Sequence, residues 1–227
     1  MIVAGVDEAG RGPVIGPLVL AIAVIDSEKE SVLKTLGVKD SKKLSSKTRE
    51  RIFGELKKTL LFFDYKIIFP AEIDFAVDSK EYNLNWLEAD ATAFLINKVN
   101  KELALKNKTL DEVYVDLPST NQLAYVSYLK QRIKSKDLKI IAEHKADDKY
   151  PIVSAASIIA KVIRDNEIDK LKKSYGDFGS GYPADPKTQK FLKENFEKYN
   201  IFRKSWKSYQ RLVSKKDKSL NAFLNKE

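Results

Sequence analysis

The sequence predicts an α/β fold: a mixed sheet flanked by helices, with a helical appendage at the C-terminal end. Three observations lead there. Short β-branched runs come first and then alternate with helical stretches, the order that builds a sheet covered by helices. The stretch from Ile152 to Lys173 has helical periodicity and carries small residues (Ala155, Ala156, Ala160), which suit close packing on a sheet. After Gly179-Ser180-Gly181-Tyr182-Pro183 interrupts the pattern, only helical spacing follows. The chain is therefore divided into a catalytic-size α/β domain over 1–175, a helical region packed on it over 176–216, and a tail over 217–227.

In order, Ile2 to Val6 reads as a short buried strand, and Leu18 to Ile25 as a second that could pair with it. Ser45 or Ser46 can cap a helix whose apolar positions Ile52, Phe53, Leu56 and Leu60 share a face. Leu61 to Phe69 is a third strand. Leu84 to Leu105 is a long helix, with Leu84, Leu87, Ala91, Phe94, Leu95 and Val99 at helical spacing. Val113 to Asp116 is a short strand, closed by Pro118, which cannot continue a central ladder. Ser119 to Lys134 reads as a helix and Leu138 to Ala142 as a strand. Two helices close the chain, near Pro186 to Tyr199 and from Arg203 to Ser214, the second with Phe202, Trp206, Tyr209 and Leu212 or Val213 on its buried side.

Composition narrows the function classes. No apolar run approaches the roughly 18 residues a membrane span needs, and Asp7, Glu8 and Arg11 precede the first long apolar stretch, the wrong order for a secretion signal. The absence of cysteine removes disulfides and thiolate metal sites and points to a reducing cytoplasm. A net charge of +9, from 41 Lys+Arg against 32 Asp+Glu, favours a polyanionic partner. The surplus is concentrated near the end: Lys198, Arg203, Lys204, Lys207, Arg211, Lys215, Lys216 and Lys218 face a single acid, Asp217.

Chemistry falls to the carboxylates. The one histidine, His144, would have to carry any Ser-His-Asp arrangement alone, and zinc is disfavoured for want of soft ligands. Asp7 and Glu8 end the first strand, Asp116 ends another, and Asp147 and Asp148 follow the Leu138 to Ala142 strand. Such acids converge if their strands are neighbours, and together they repel one another unless cations bind among them. Oxygen-only ligation suits Mg²⁺ or Mn²⁺, and two such ions can clamp an in-line phosphoryl displacement. Adjacent strand residues point to opposite faces, so the strand is expected to end or twist at Asp7 and Glu8, next to Ala9-Gly10.

The string GVDEAGRGPVIGP, Gly5 to Pro17, resembles the N-terminal signature of the ribonuclease HII family. DSKKL (Asp40 to Leu44), YVD (Tyr114 to Asp116), HKADD (His144 to Asp148), PIVSAASIIAKVIRD (Pro151 to Asp165) and GSGYP (Gly179 to Pro183) resemble further family motifs, in family order. HKADD and GSGYP are similar to the archaeal branch. The related ribonuclease HIII family carries an extra N-terminal domain and usually Lys in the glycine loop, whereas Asp7 here is near the start and residue 11 is Arg.

The resemblance implies an RNase H-like domain with two-metal hydrolysis at Asp7, Glu8, Asp116 and Asp147, the last chosen over Asp148 because the family pattern puts the ligand directly after Lys145-Ala146. It implies that Gly10, Arg11 and Gly12 read the RNA-to-DNA junction, glycines allowing backbone amides to approach a phosphate and a 2′-hydroxyl. Lys42 and Lys43 are expected on phosphates and Tyr182 against the ribonucleotide's sugar. His144 is read as structural or phosphate-proximal, and Ser154, Ala155 and Ala156 as packing residues. The implied activity is endonucleolytic hydrolysis of RNA in RNA–DNA hybrids and 5′ of ribonucleotides embedded in duplex DNA, giving a 5′-phosphate and a 3′-hydroxyl, by a monomer. Another nuclease or transposase of the same fold would share the acids without needing Arg11 or Tyr182; for a non-catalytic nucleic-acid binder, intact Asp7, Glu8, Asp116 and Asp147 would be superfluous. In the tail, Leu220, Phe223 and Leu224 stand at i, i+3 and i+4. Residues 217–224 resemble, in degenerate form, the peptide with which replication proteins bind a sliding clamp.

Overall fold

The computed structural model describes residues 1–38 and 44–224, with side chains through residue 216. The chain runs β1 (Ile2–Ala9), β2 (Leu18–Asp26), a 3₁₀ turn, α1 (Glu30–Leu36), α2 (Ser46–Thr59), β3 (Phe62–Ile68), α3 (Pro70–Asp78), α4 (Leu84–Ala104), β4 (Glu112–Asp116), α5 (Gln122–Arg132), β5 (Lys139–Glu143), α6 (Ala146–Lys149), α7 (Pro151–Tyr175), α8 (Pro186–Asn195) and α9 (Lys207–Leu224). The five strands form one sheet in the order β3-β2-β1-β4-β5. Pairing is antiparallel on the β2 side of β1 and parallel on the β4 side. Among the described residues no helix is long and apolar enough to cross a membrane.

Strand alternation divides the core between the two faces of the sheet. Ile2, Ala4 and Val6 of β1, with Leu18, Leu20, Ile22 and Val24 of β2, pack with α4 and α5. Val3 of β1 and Val19, Ala21, Ala23 and Ile25 of β2 pack with α1, α2 and α7. Strand β2 is apolar throughout because it is covered on both faces. The small residues of α7 allow a very close approach: a Cβ on Gly5 of β1 would stand 2.5 Å from the Val153 nitrogen. A third core joins the C-terminal region to the sheet domain through Val14, Ile15 and Ile168, which pack with Phe178, Leu192, Ile201, Phe202 and Tyr209.

Several boundaries differ from expectation. β1 does not end at Val6 but stays paired to β2 through Ala9↔Val19, since the antiparallel neighbour continues to satisfy its backbone. Helix α3 escaped the sequence reading: Pro70 opens it, and the Glu72 carboxylate accepts from the Phe69 N–H at 2.9 Å. The Ser119–Lys134 segment becomes helical only at Gln122, where the Asn121 side chain accepts from Ala124 N. The last helix starts at Lys207 instead of Arg203. Phe202 bridges to Ile15 and leaves the buried stripe, and Arg203 is drawn into the core ahead of the helix. Lys204, Lys207 and Arg211 are exposed.

Candidate active site

The ladder between parallel neighbours β1 and β4 stops at Val6↔Val115. Past that point β1 runs on through Asp7, Glu8 and Ala9 with β2 as its sole strand partner among the described residues, while β4 ends at Asp116. This leaves a notch at the carboxyl ends of two adjacent parallel strands, the position where open α/β sheets commonly bind ligands. Asp7 follows the face of Val3 toward α7, where Ser157 gives it a hydrogen bond and Lys161 an opposing charge. Glu8 follows the face of Val6 toward α4 and senses Glu88.

Opposite faces are thus kept, yet Asp7, Glu8 and Asp116 each bring a carboxylate oxygen within 4.8 Å of the others. They meet across the open edge, not by a break in the strand. The Glu8 N–H donates to Asp7 Oδ1 at 2.7 Å, and the Ala146 N–H to Asp116 Oδ1 at 2.9 Å. Asp147, on α6 directly after Ala146, is 5% exposed and its carbonyl accepts from Ser154 Oγ; Asp148 beside it is exposed. Asp147 does not belong to the group of three mutually close carboxylates.

Burial, Glu8 and Asp116 raise the Asp7 carboxyl well above its ordinary range, with Lys161 and Ser157 acting against them. Glu8 is pushed up to about 7, by burial first and then by Glu88 and Asp116. A pocket that drives its acids toward protonation is short of positive charge. Oxygens on opposite sides of one Mg²⁺ ion stand about 4 Å apart, so this spacing and this all-oxygen donor set fit a hard divalent cation.

The glycine loop borders the notch. Gly10 has φ +90°, and Gly12 faces the Tyr182 ring, which a Cβ there would meet at 3.2 Å. Tyr182 is 46% exposed. Arg11 is turned back onto α4, where Nη1 binds Glu88 and Nη2 donates to Asn85 Oδ1 at 2.7 Å. Glu88 is 1% exposed; burial raises its carboxyl to about 7 against the pull of Arg11. His144 pairs its Nδ1 with the Leu117 carbonyl oxygen at 3.0 Å. Lys42 and Lys43 lie outside the described residues.

Sequence reading missed Ser157 and Lys161, four apart on α7 and facing Asp7, although the small-residue helix that carries them was recognised. It also missed Glu88 and Asn85. Their three-residue spacing on a helix was visible, but nothing local linked it to Arg11. Arg164 lies against Gly10 with Nε and Nη2 buried and without partners among the described residues. Burial, with the like charge of Arg164, lowers Arg203 to about 9, leaving it cationic at neutral pH.

Comparison with known proteins shows the family and the fold. The family model described as Ribonuclease HII matches residues 4–209. The ribonuclease HII of Pyrococcus furiosus is 43% identical, the alignment covering 100% of this chain and 100% of that protein. The crystal structure of the ribonuclease H2 from Pyrococcus horikoshii OT3 superposes with a TM-score of 0.82 at 43% identity, covering 95% of this chain and 98% of that one. The structure of the PCNA:RNase HII complex from Archaeoglobus fulgidus gives a TM-score of 0.78 at 40% identity, covering 92% and 96%.

Proposed function

The chain belongs to the ribonuclease HII family, a family of metal-dependent endonucleases, and we propose that it hydrolyses the RNA strand of RNA–DNA hybrids and cuts 5′ of ribonucleotides embedded in duplex DNA. The observation that carries this reading is the meeting of Asp7, Glu8 and Asp116 beside a glycine loop that faces Tyr182. In the proposed arrangement these three acids, with Asp147, hold two Mg²⁺ or Mn²⁺ ions. When bound, the ions supply the charge that activates a water and stabilises the departing 3′ oxygen. Asp7 and Glu8 approach the scissile phosphate from the two faces of the sheet. The hydrogen bonds Asp7 accepts from the Glu8 N–H and Ser157 fix its carboxylate, and the Ala146 N–H fixes that of Asp116. Gly10, Arg11 and Gly12 contact the ribonucleotide through their backbone, Arg11 being braced by Glu88. Tyr182 packs on the sugar, and Lys42 and Lys43 contact phosphates.

The test is cleavage of a DNA duplex bearing one ribonucleotide, with Mg²⁺, with Mn²⁺ and with chelator. The expected result is a metal-dependent cut giving a 5′-phosphate and a 3′-hydroxyl. Binding without cutting would indicate a non-catalytic nucleic-acid binder, and cutting that ignores the ribonucleotide another nuclease of this fold. In the same assay Tyr182→Ala is expected to lose roughly tenfold or more in cleavage at a single embedded ribonucleotide, with duplex affinity little changed. An equal loss in both would remove Tyr182 from the sugar contact.

The enzyme is proposed to act as a cytoplasmic monomer. Residues 217–224 are proposed to dock on a sliding clamp, as suggested by the clamp complex of the Archaeoglobus relative. Their backbone continues α9 to Leu224, and their side chains lie outside the described residues. Tethering of this kind raises local concentration on DNA without altering chemistry. Full-length protein is expected to bind the cognate clamp measurably tighter than a version ending at Lys216. Equal affinities would exclude the segment as the anchor.

A further inference from the structure

Arg203 is 0% exposed, yet it carries a charge and ends on main-chain oxygens instead of a carboxylate. Its Nη2 donates to the Gly10 carbonyl at 2.6 Å, Nη1 to that of Arg11 at 2.9 Å and Nε to that of Gly16 at 3.1 Å. Its own N–H donates to Val14 O at 2.8 Å, and its guanidinium stacks on Trp206 at 4.8 Å. Burying a guanidinium is costly, and packing alone would be served by an apolar side chain. What the charge supplies here is three strong, directional bonds to one loop.

Those bonds decide where the loop's amides point. In a trans peptide the N–H of one residue is directed opposite to the carbonyl of the residue before it. Holding the Gly10 and Arg11 carbonyls inward therefore turns the N–H groups of Arg11 and Gly12 to the other side of the loop. Among the described residues neither amide donates to another backbone group. Trp206 holds the third carbonyl, that of Gly12, through Nε1 at 3.0 Å, but residue 13 is proline and that peptide has no N–H to aim. Among the described residues, Arg203 is the side chain that holds the carbonyls of both peptides whose amides are aimed.

We propose that Arg203, reaching across from the C-terminal region, is the positioning residue that aims the Arg11 and Gly12 amides at the 2′-hydroxyl and adjoining phosphate of the ribonucleotide. This rests on the reading of Gly10, Arg11 and Gly12 as the loop that contacts the ribonucleotide. The C-terminal region is then part of the specificity device as well as a packing element.

The experiment compares affinities for a duplex containing one ribonucleotide and for the matched all-DNA duplex, with Ca²⁺ replacing Mg²⁺, alongside melting curves. Arg203→Lys keeps the charge but cannot span three carbonyls; Arg203→Gln keeps part of the shape. Both are expected to lose about tenfold of the ribonucleotide preference, the size of a lost hydrogen bond or two, while all-DNA affinity moves far less. Retained preference in the Arg203 variants overturns the proposal, and so does a loss matched by all-DNA affinity and melting, which marks a purely structural arginine. If those variants do not fold, Asp74→Ala serves instead. Asp74 Oδ2 and Oδ1 accept the Lys204 and Ser205 N–H groups, both at 2.9 Å, and so hold the turn that presents Arg203. A partial loss of preference is expected there, and an unchanged ratio overturns the proposal. A wild-type protein without any ribonucleotide preference would instead refute the loop reading itself.

Discussion

Asp7→Asn is expected to reduce metal-supported cleavage by orders of magnitude and, in metal-free buffer near pH 8, to raise the melting temperature. The first effect follows from removing a formal charge at the centre of the three converging carboxylates. The second follows from linkage. Unfolded, Asp and Glu ionise near pH 4; folded, Asp7 is raised well above that and Glu8 to about 7. Between those limits the folded state binds more protons, so stability present below about pH 4 is lost as pH rises through the folded values. The loss at Glu8 alone is on the order of 3 kcal/mol. Asn at position 7 relieves part of it, and the metal-free melting profile should flatten between pH 5 and 8. Substantial Mg²⁺-supported cleavage by this variant, or a profile as steep as wild type, would refute the assignment.

Gly5→Ala is expected to be the most damaging single methyl in the sheet. The added Cβ would overlap the carbonyl carbon and oxygen of Ile152 and stand 2.5 Å from the Val153 nitrogen. These are backbone atoms in the first turn of α7 and cannot swing aside as a side chain can. Either β1 loses register with β2 and β4, or α7 moves off and carries Ser157 and Lys161 away from Asp7. A loss of roughly 4 kcal/mol or more is expected, in the range of severe core disruptions, with cleavage lost as well. Gly54 is the matched control: it lies within α2, and an added methyl there would meet nothing within 4 Å, so Gly54→Ala should stabilise by up to about 1 kcal/mol. Thermal melting of the pair decides the matter, and a Gly5→Ala protein as stable as wild type would rule out the tight β1–α7 packing.

Much of the fold was legible because hydrophobic periodicity is a local property. The β-branched runs around Val3, Ile22 and Val115 and the helical spacing of Leu84 to Val99 follow from side chains within a few residues of one another. Helix α3 was not legible, since its Pro70 resembles a breaker as readily as a first-turn residue. Nor was the true start of α9, because Phe202 and Trp206 keep helical spacing while serving a bridge and a turn.

By itself, then, the sequence determined the α/β class, the order of the five strands, and the positions of the acids and glycines that the family resemblance picked out as candidates. Each of these is written in short-range pattern or in residue chemistry. Tertiary structure alone decided that Asp7 and Glu8 meet from opposite faces, because that depends on β4 ending one residue past its last pairing with β1. It alone committed Arg11 to Glu88 across 77 residues and Arg203 to the Arg11 carbonyl across 192. Local pattern can specify an element and the face it buries. Which buried donor meets which buried acceptor is settled only when every element has packed, and no run of neighbouring residues encodes it.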